Sequence, residues 1–329
     1  MTAARLPELL ALVVEAEVGA VWRRLTRGPK RPGWSWRVEL AAAAMRAVMM
    51  RSKRTGVHWL RSATEIVPSP APALQKVRVQ DVAAGGVAAR WFEPIGREAR
   101  GVLVYFHGGG FVIGGFHSHG DTMARLAVLA GARVLGVDYR LAPEHRFPAA
   151  HDDCLAATRW AIAQAGGPAQ VALAGDSAGG NLALGTLLSL RDAGEPLPAA
   201  AALLCPWVDP LWSGGSMDAN ADADFGDHDL LVGWAHDYLG EQPKRDPRAF
   251  PIDANLAGLP RLYVQVGGAE ILLDQVMGFV ERARAAGSDV RCDVEADMFH
   301  DWQLQSALLP EGERSMQQLG RWLAERLAA

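Results

Sequence analysis

The 329-residue sequence is poor in cysteine, nearly balanced in charge and without a long apolar run. Its three cysteines are widely spaced and form no C-x-x-C pair, so neither a disulfide framework nor a cysteine zinc site is indicated. The formal net charge of −4 does not favour a polyanionic partner, and we expect no nucleic-acid binding. Because no stretch of about 20 apolar residues occurs, we expect no stable membrane insertion and predict a cytoplasmic protein.

The first 70 residues differ in character from the rest. Two helical patterns, roughly 5–26 and 36–52, are joined by a turn rich in Pro and Gly, and a Pro-rich linker at Pro68–Pro72 follows. The first pattern is amphipathic and ends in arginines, as in helices that touch a membrane surface. Glu residues share its polar face, however, and favour a solvated helix packed on the domain. We predict a helical unit at 1–70 and a second domain at 75–329.

From residue 75 onward, short β-type runs alternate with helical ones. This alternation predicts an α/β fold, a mostly parallel eight-stranded sheet with helices on both faces. The first two runs are joined by only four residues, which predicts an antiparallel hairpin because a crossover helix needs more. The predicted strands are Val77–Val82, Val87–Phe92, Gly101–His107, Arg133–Tyr139, Gln170–Ala174, Ala200–Cys205, Arg261–Val266 and Val290–Val294. Helices are predicted at roughly 121–131, 149–165, 179–192, 273–287 and 312–328.

The run Gly175-Asp-Ser-Ala-Gly179 matches the G-x-S-x-G pattern of a nucleophile elbow. It follows an apolar strand and opens a helical pattern. A sharp strand-to-helix turn exposes its central side chain at the end of the sheet, over helix amides that favour negative charge. A Gly-rich turn with an incidental serine would give the same letters. The strand–turn–helix setting favours Ser177 as a catalytic nucleophile.

A second motif, His107-Gly-Gly-Gly110, follows another apolar strand, where this kind of fold places its oxyanion loop. Glycines there let backbone amides face a developing oxyanion without obstruction by side chains. We assign the amides of Gly109, Gly110 and Ala178 as oxyanion donors. His107 is interpreted as a brace for the loop rather than as a proton-transfer group.

A serine hydroxyl needs a base, and in this chain order an acid and then a histidine follow the nucleophile. His300 is the last histidine and follows the last predicted strand, so we predict that it is the base. Its ordinary pKa would give an activity inflection near pH 6–7. Glu270 and Asp274 both follow the seventh strand as candidate acids. Glu270 is favoured because it is nearer the strand end, with Asp274 as the alternative.

Together these blocks resemble the bacterial hormone-sensitive-lipase-like (family IV) esterases of the α/β-hydrolase superfamily. The resemblance covers roughly residues 75–325. It implies an α/β-hydrolase fold, Ser177 and His300 in the roles above, and no metal or cofactor. The family's acid motif, Asp-Pro-Leu-Arg-Asp, aligns its first Asp with Glu270 and its second with Asp274, which is a departure from the family pattern. The matching blocks are His107-Gly-Gly-Gly-Phe-Val-Ile-Gly, Val137-Asp-Tyr-Arg-Leu-Ala-Pro-Glu-His-Arg-Phe-Pro-Ala-Ala, Gly175-Asp-Ser-Ala-Gly-Gly-Asn and Cys205-Pro-Trp-Val-Asp.

The family also carries an N-terminal helical cap over its site, and residues 1–70 resemble one. A lid contribution is expected from 207–250, in which the Asp-rich stretch Asp218–Asp229 is interpreted as a solvated loop. The predicted substrate is a small-molecule ester with a short to medium acyl chain. The oligomeric state stays open, and a homodimer would be ordinary for the family. Apolar candidates for packing the cap or lining an acyl pocket are Trp34, Trp36, Met45, Met49, Met50 and Trp59.

Three alternatives remain at this point. The segment His117-Ser-His-Gly-Asp121 has the H-x-H-x-D spacing of dinuclear metallo-hydrolases, although Thr122 stands where another His would be needed. A binding protein on the same scaffold would lack a triad residue, whereas a full set is present here. The same apparatus also cleaves amides, lactones and carbamates, and the sequence does not choose among these bonds.

Overall fold

The computed structural model describes residues 4–66, 71–211, 214–240 and 245–327. An eight-stranded sheet forms its centre, and each of the eight predicted strands is confirmed to within two residues at its ends. The strands are β1 (Val77–Ala84), β2 (Val87–Pro94), β3 (Val102–Phe106), β4 (Arg133–Val137), β5 (Val171–Asp176), β6 (Ala200–Leu204), β7 (Arg261–Gly267) and β8 (Val290–Glu295).

The strand order across the sheet is β1-β2-β4-β3-β5-β6-β7-β8. β1 and β2 form the predicted antiparallel hairpin, and β2 also pairs antiparallel with β4. All pairs from β4 through β8 are parallel, so their carboxyl ends lie at one edge of the sheet. The segments that follow β3, β5, β6 and β7 therefore meet at that edge, which is where open α/β sheets bind ligands.

The described residues form ten α-helices: α1 (Leu6–Arg27), α2 (Trp36–Thr55), α3 (Val57–Ile66), α4 (Phe116–Ala130), α5 (Ala149–Gln164), α6 (Ala178–Asp192), α7 (Ser216–Ala219), α8 (His228–Leu239), α9 (Leu273–Ala285) and α10 (Pro310–Leu327). α3, α7 and α8 were not predicted, and α4 begins five residues earlier than expected. Helical residues occupy only the two ends of the Asp-rich stretch, and the turns between them contain the buried Asp224, so the stretch is not a solvated loop throughout.

The central strands are buried on both faces, which explains their continuous apolar sequences. In β3, Val104 and Phe106 belong to the core under α5, α6 and α9, whereas Leu103 and Tyr105 belong to the core under α4 and α10. This alternation is the period-2 geometry of a strand placed between two helical layers. The sheet is consequently a rigid platform for whatever its carboxyl edge carries.

The three N-terminal helices form a separate layer that contacts the 207–250 segment. Arg46 of α2 donates to the carbonyl oxygens of Ala221 and Asp224 at 2.6 and 2.7 Å, and Arg31 donates to Asn220 Oδ1 at 2.8 Å. The linker predicted at Pro68–Pro72 lies largely outside the described residues, although Pro72 opens a short 3-10 helix. In the described ranges, none of the helices combines the length and apolarity that a bilayer crossing requires.

Candidate active site

Ser177 occupies the turn between β5 and α6 in a strained backbone conformation. Its φ of 51° and ψ of −117° lie outside the regions that non-glycine residues normally adopt. Its amide donates to the carbonyl oxygen of Leu204 on the neighbouring strand at 2.8 Å. The tight turn requires glycine two residues later, since a Cβ on Gly179 would lie 1.9 Å from the Phe106 carbonyl oxygen. The structure therefore has the elbow geometry that the motif predicts.

The loop after β3 has the form expected of an oxyanion loop. Gly109 has a φ of 107°, which L side chains rarely adopt. Its carbonyl oxygen accepts bonds from the amides of Val112 and Ile113, both at 3.0 Å, which turns the loop back on itself. Within the described ranges, the amides of Gly109, Gly110 and Ala178 donate to no protein acceptor. Three free donors at the carboxyl edge are what stabilisation of an oxyanion needs.

His107 is buried beneath this loop. Its Nδ1 lies 2.8 Å from the Gly108 carbonyl oxygen, and its ring stacks on Tyr139 at 4.2 Å between centroids. The Tyr139 hydroxyl donates to the His107 carbonyl oxygen at 2.7 Å. Burial lowers the pKa of His107 to about 3, so the ring stays neutral near pH 7. These contacts suit a brace for the loop.

His300 and Glu270 are in direct contact although 30 residues separate them. His300 Nδ1 lies 3.4 Å from Glu270 Oε1. The other carboxylate oxygen of Glu270 accepts the amide of Gly267 at 2.8 Å, which fixes the side chain at the end of β7. Both residues are buried, and Glu270 has no exposed surface. The geometry is that of an imidazole oriented by a carboxylate.

Asp274, the alternative acid, points elsewhere. It is exposed at the start of α9, and its Oδ2 accepts the amide of Ser216 at 2.7 Å. In return, the Asp274 amide donates to Ser216 Oγ at 3.0 Å. This reciprocal pair anchors the short helix α7, so the structure brings Glu270 and not Asp274 to His300.

The end of β6 links the Ser177 turn to the segment that carries His300. Cys205 follows Leu204, the acceptor of the Ser177 amide, and its Sγ accepts the amide of Asp301 at 3.4 Å. His300 Nε2 lies 3.3 Å from Asp301 Oδ2. The hydrogen bonds of the described residues do not include one between Ser177 and His300. In this arrangement the Nε2 of His300 is therefore oriented toward a carboxylate.

Two buried acids beside His300 had no sequence signal that singled them out. Asp224 belongs to the stretch interpreted as solvated, yet it is 1% exposed. Its carboxylate accepts the amides of Ile271 and Phe225 at 2.8 Å each and that of His300 at 3.2 Å. Burial raises the pKa of Asp224 to about 6. Asp224 thus links the 207–250 segment to the backbone around both Glu270 and His300.

Asp301, the second of these acids, has a φ of 53° and is also buried. Its Oδ1 has no hydrogen-bond partner in the described chain. Burial raises the pKa of Asp301 well above its ordinary value, and His300 opposes that shift. With Cys205 and His300 it forms the one group of metal-ligating side chains among the described residues, with ligand atoms within 4.8 Å of one another.

The carboxylates around His300 change its protonation. Burial alone lowers the pKa of His300, but Asp301, Glu270 and Asp224 outweigh burial and raise that pKa to about 10. Burial raises the pKa of Asp301 as well, whereas the positive charge of His300 opposes that rise. The expected activity inflection therefore moves above the pH 6–7 predicted from an unperturbed imidazole.

The H-x-H-x-D segment does not form a metal centre in the structure. His119 Nε2 lies 3.2 Å from Asp176 Oδ2 in the core, whereas His117 is exposed. Asp121 accepts the Ala73 amide at 2.7 Å and pairs with Arg125 at 3.2 Å. His117, His119 and Asp121 therefore do not converge on one point. They lie at the start of α4, and a helix directs side chains two residues apart to different sides.

Aromatic side chains from the turn before α2 and from the 207–250 segment surround Phe299 and His300. Trp34 packs edge-on against Phe299 at 6.2 Å and donates from its indole nitrogen to the Asp297 carbonyl oxygen. Phe225, from the 207–250 segment, lies 5.4 Å from the His300 ring. One side of the His300 ring therefore faces the aromatic ring of Phe225.

A cavity of about 370 Å³ lies between α1, α2 and residues 222–223. Trp34 and Met50 are among its lining residues, and the described lining does not include Ser177 or His300. The other apolar candidates of this region are distributed between core and surface: Met45, Met49 and Trp59 pack into the core, and Trp36 is 44% exposed.

Known proteins share this architecture along most of the chain. The model of a family described as "alpha/beta hydrolase fold" matches residues 103–304. The chain belongs to this α/β-hydrolase family. An acetyl-hydrolase of Streptomyces hygroscopicus is 40% identical over 243 residues, which cover 74% of this chain and 81% of that protein. Carboxylesterase NlhH of Mycobacterium tuberculosis is 32% identical and covers 82% of this chain and 88% of its own.

A solved structure leads to the same family. An esterase from the bacterial hormone-sensitive lipase family is 36% identical and covers 98% of this chain and 99% of its own, with a TM-score of 0.77. The α/β-hydrolase fold and the resemblance to hormone-sensitive-lipase-like esterases are thus confirmed, and this α/β-hydrolase is a carboxylesterase.

Proposed function

We propose that this carboxylesterase hydrolyses short to medium acyl esters through an acyl-enzyme on Ser177, with His300 as base and Glu270 as its orienting acid. The observation that carries the proposal is the direct His300–Glu270 contact of 3.4 Å at the sheet edge where the Ser177 elbow lies. Fixed groups at one edge are the arrangement that acyl transfer requires.

In the first half-reaction, neutral His300 takes the Ser177 proton while Oγ attacks the ester carbonyl. Negative charge then develops on the carbonyl oxygen, where the free amides of Gly109, Gly110 and Ala178 donate to it. Each such donor contributes about 3–4 kcal/mol of transition-state stabilisation. Glu270 stabilises the imidazolium, which passes its proton to the leaving alcohol.

In the second half-reaction, water takes the place of the alcohol. His300 removes a proton from the water as it attacks the acyl carbonyl, and the same amides stabilise the second oxyanion. Collapse of that intermediate returns the proton from His300 to Ser177 Oγ and releases the carboxylic acid. Before the first step, His300 Nε2 must exchange its contact with Asp301 for one with Ser177 Oγ.

We assign the N-terminal helices and 207–250 as a cap over this site. The assignment is supported by the bonds from Arg46 to Ala221 and Asp224, since Asp224 in turn accepts the His300 amide. The aromatic wall formed by Trp34, Phe299 and Phe225 favours apolar acyl or alcohol groups. The cap thereby positions the base as well as limiting the substrate.

The test is a series of p-nitrophenyl esters of increasing acyl length, assayed with Ser177→Ala, Glu270→Gln and Asp274→Asn. We expect near-total loss of kcat for the first and a loss of about 100-fold or more for the second. Asp274→Asn is the matched control, an acid-to-amide change that leaves His300 untouched, and should cost less than Glu270→Gln.

Covalent labelling gives an independent check. A serine-directed organophosphate should modify Ser177, located by peptide mapping, with activity lost in proportion to labelling. Labelling at another serine, or a larger loss in Asp274→Asn than in Glu270→Gln, would show that the assignment of the triad is wrong.

A further inference from the structure

The outer face of α1 carries a row of large apolar side chains that the described chain leaves uncovered. We call this row the α1 stripe: Leu6, Leu10, Val14, Val18, Trp22 and Leu25, which are 42%, 56%, 55%, 62%, 70% and 70% exposed. They make up six of the 13 exposed large apolar side chains of the described residues, so the exposure is concentrated rather than scattered. The opposite face of α1 is buried against the protein through Leu9.

The stripe lies in the most basic part of the chain. Residues 4–66 contain 12 Lys and Arg against five Glu, a net charge of +7, whereas the rest of the sequence carries −11. Exposed arginines flank the stripe: Arg5 precedes it and Arg27 follows it. Neither has a carboxylate partner among the described residues, and the same holds for Arg37 and Arg54.

The acids of α1 reduce this positive field only in part. Glu8 pairs with Arg51 of α2 at 3.1 Å, which also places the end of α2 beside the start of α1. The other two acids of α1, Glu15 and Glu17, have no ion-pair partner among the described residues. At the other end, Arg23 and Arg24 converge on the buried Glu39 and thereby leave no negative charge exposed there.

We propose that the α1 stripe binds the surface of an anionic lipid membrane, with α1 lying in the plane of the interface. Apolar side chains in a row along the exposed face of a helix, with Trp among them and arginines at both ends, are the composition of interfacial helices. The arginines would contact lipid phosphates while the stripe enters the boundary of the acyl chains.

The charge distribution favours a membrane over a second copy of the chain as the occupant. Pairing two α1 stripes would bring the exposed Arg5 and Arg27 of both copies to one interface, and like charges across an interface oppose association. An anionic bilayer supplies both the apolar environment and the opposite charge. The acidic remainder of the protein would then be repelled from the surface, which favours one orientation with α1 toward the lipid.

The experiment is co-sedimentation of the full chain, without any ester substrate, with vesicles of phosphatidylcholine alone or mixed with phosphatidylglycerol. We expect binding to the mixed vesicles that weakens with salt. Val14→Gln/Val18→Gln/Trp22→Gln should lower the partition coefficient about tenfold or more, because it removes the inserted apolar area. Arg27→Glu/Arg54→Glu should abolish the preference for the anionic vesicles.

The matched control is Ile95→Gln/Leu308→Gln, which removes two side chains of similar exposure, 60% and 48%, outside α1. It should bind as the wild type does. A circular-dichroism melt verifies that each variant is folded. If the triple variant Val14→Gln/Val18→Gln/Trp22→Gln does not fold, the single variant Trp22→Gln is used in its place. Absence of wild-type binding, or equal binding by the stripe variant and the wild type, would overturn the proposal. A wild-type dimer that the stripe variant dissociates, with no vesicle binding, would assign the stripe to a second copy instead.

Discussion

The substitution Asp301→Asn tests how the buried carboxylates set the pKa of His300. The substitution is isosteric, and Asn accepts the left-handed backbone (φ 53°) at this position better than most residues do. It removes the one carboxylate that lies 3.3 Å from His300 Nε2. Since that carboxylate helps raise the pKa of His300 to about 10, we expect the pKa to fall in the variant.

The size of the shift follows from the distance. Two unit charges about 3.3 Å apart interact by about 5 kcal/mol at an effective dielectric constant of about 20, which corresponds to nearly 4 pKa units. That is an upper bound, because burial raises the pKa of Asp301 and thereby favours its uncharged form. We expect a decrease of about 1–2 units.

The sign of the effect on activity is definite. The mechanism needs neutral His300, so kcat/KM falls as the pH drops below the pKa of the base. Asp301→Asn should therefore move the acidic limb of the profile to lower pH and extend activity into that range. The assay is kcat/KM against pH by pH-stat, with Asp274→Asn as a control that removes an exposed charge far from the ring. Identical acidic limbs in wild type and Asp301→Asn would refute the account of His300.

Two further changes address the contacts that hold the site. Arg46→Met removes the donors to the carbonyl oxygens of Ala221 and Asp224. We expect a lower kcat and a free energy of unfolding in urea that is lower by about 1–3 kcal/mol. The control Arg78→Met, at an exposed strand position, should change neither the kcat nor the free energy of unfolding. Full activity in Arg46→Met would show that the cap does not position His300. Gly179→Ala places a Cβ 1.9 Å from the Phe106 carbonyl oxygen, so we expect misfolding or a melting temperature far below the wild type; a folded, active variant would contradict the elbow geometry.

The strands and the motifs were predictable because their signals are local. β3 and β5 are continuous apolar runs, and the glycines around Ser177 mark a strand-to-helix turn that no other residues fit. α7 and α8 were missed because their sequence is rich in Asp, which is typical of loops. In the structure, Asp227 begins α8 by accepting the Leu230 amide, so acidity there marks a helix start instead.

The sequence by itself determined the strands, the elbow and the glycine loop, since each depends on neighbours within a few residues. It also singled out Ser177, His300 and the two candidate acids by their order in the chain. Only the tertiary structure decided that Glu270 and not Asp274 reaches His300, that Asp224 and Asp301 surround the same ring, and that the apolar side of α1 faces outward. These outcomes depend on groups up to 76 positions apart in the chain. Their energies come from burial and from charges a few ångströms apart, quantities that exist only once the chain has folded.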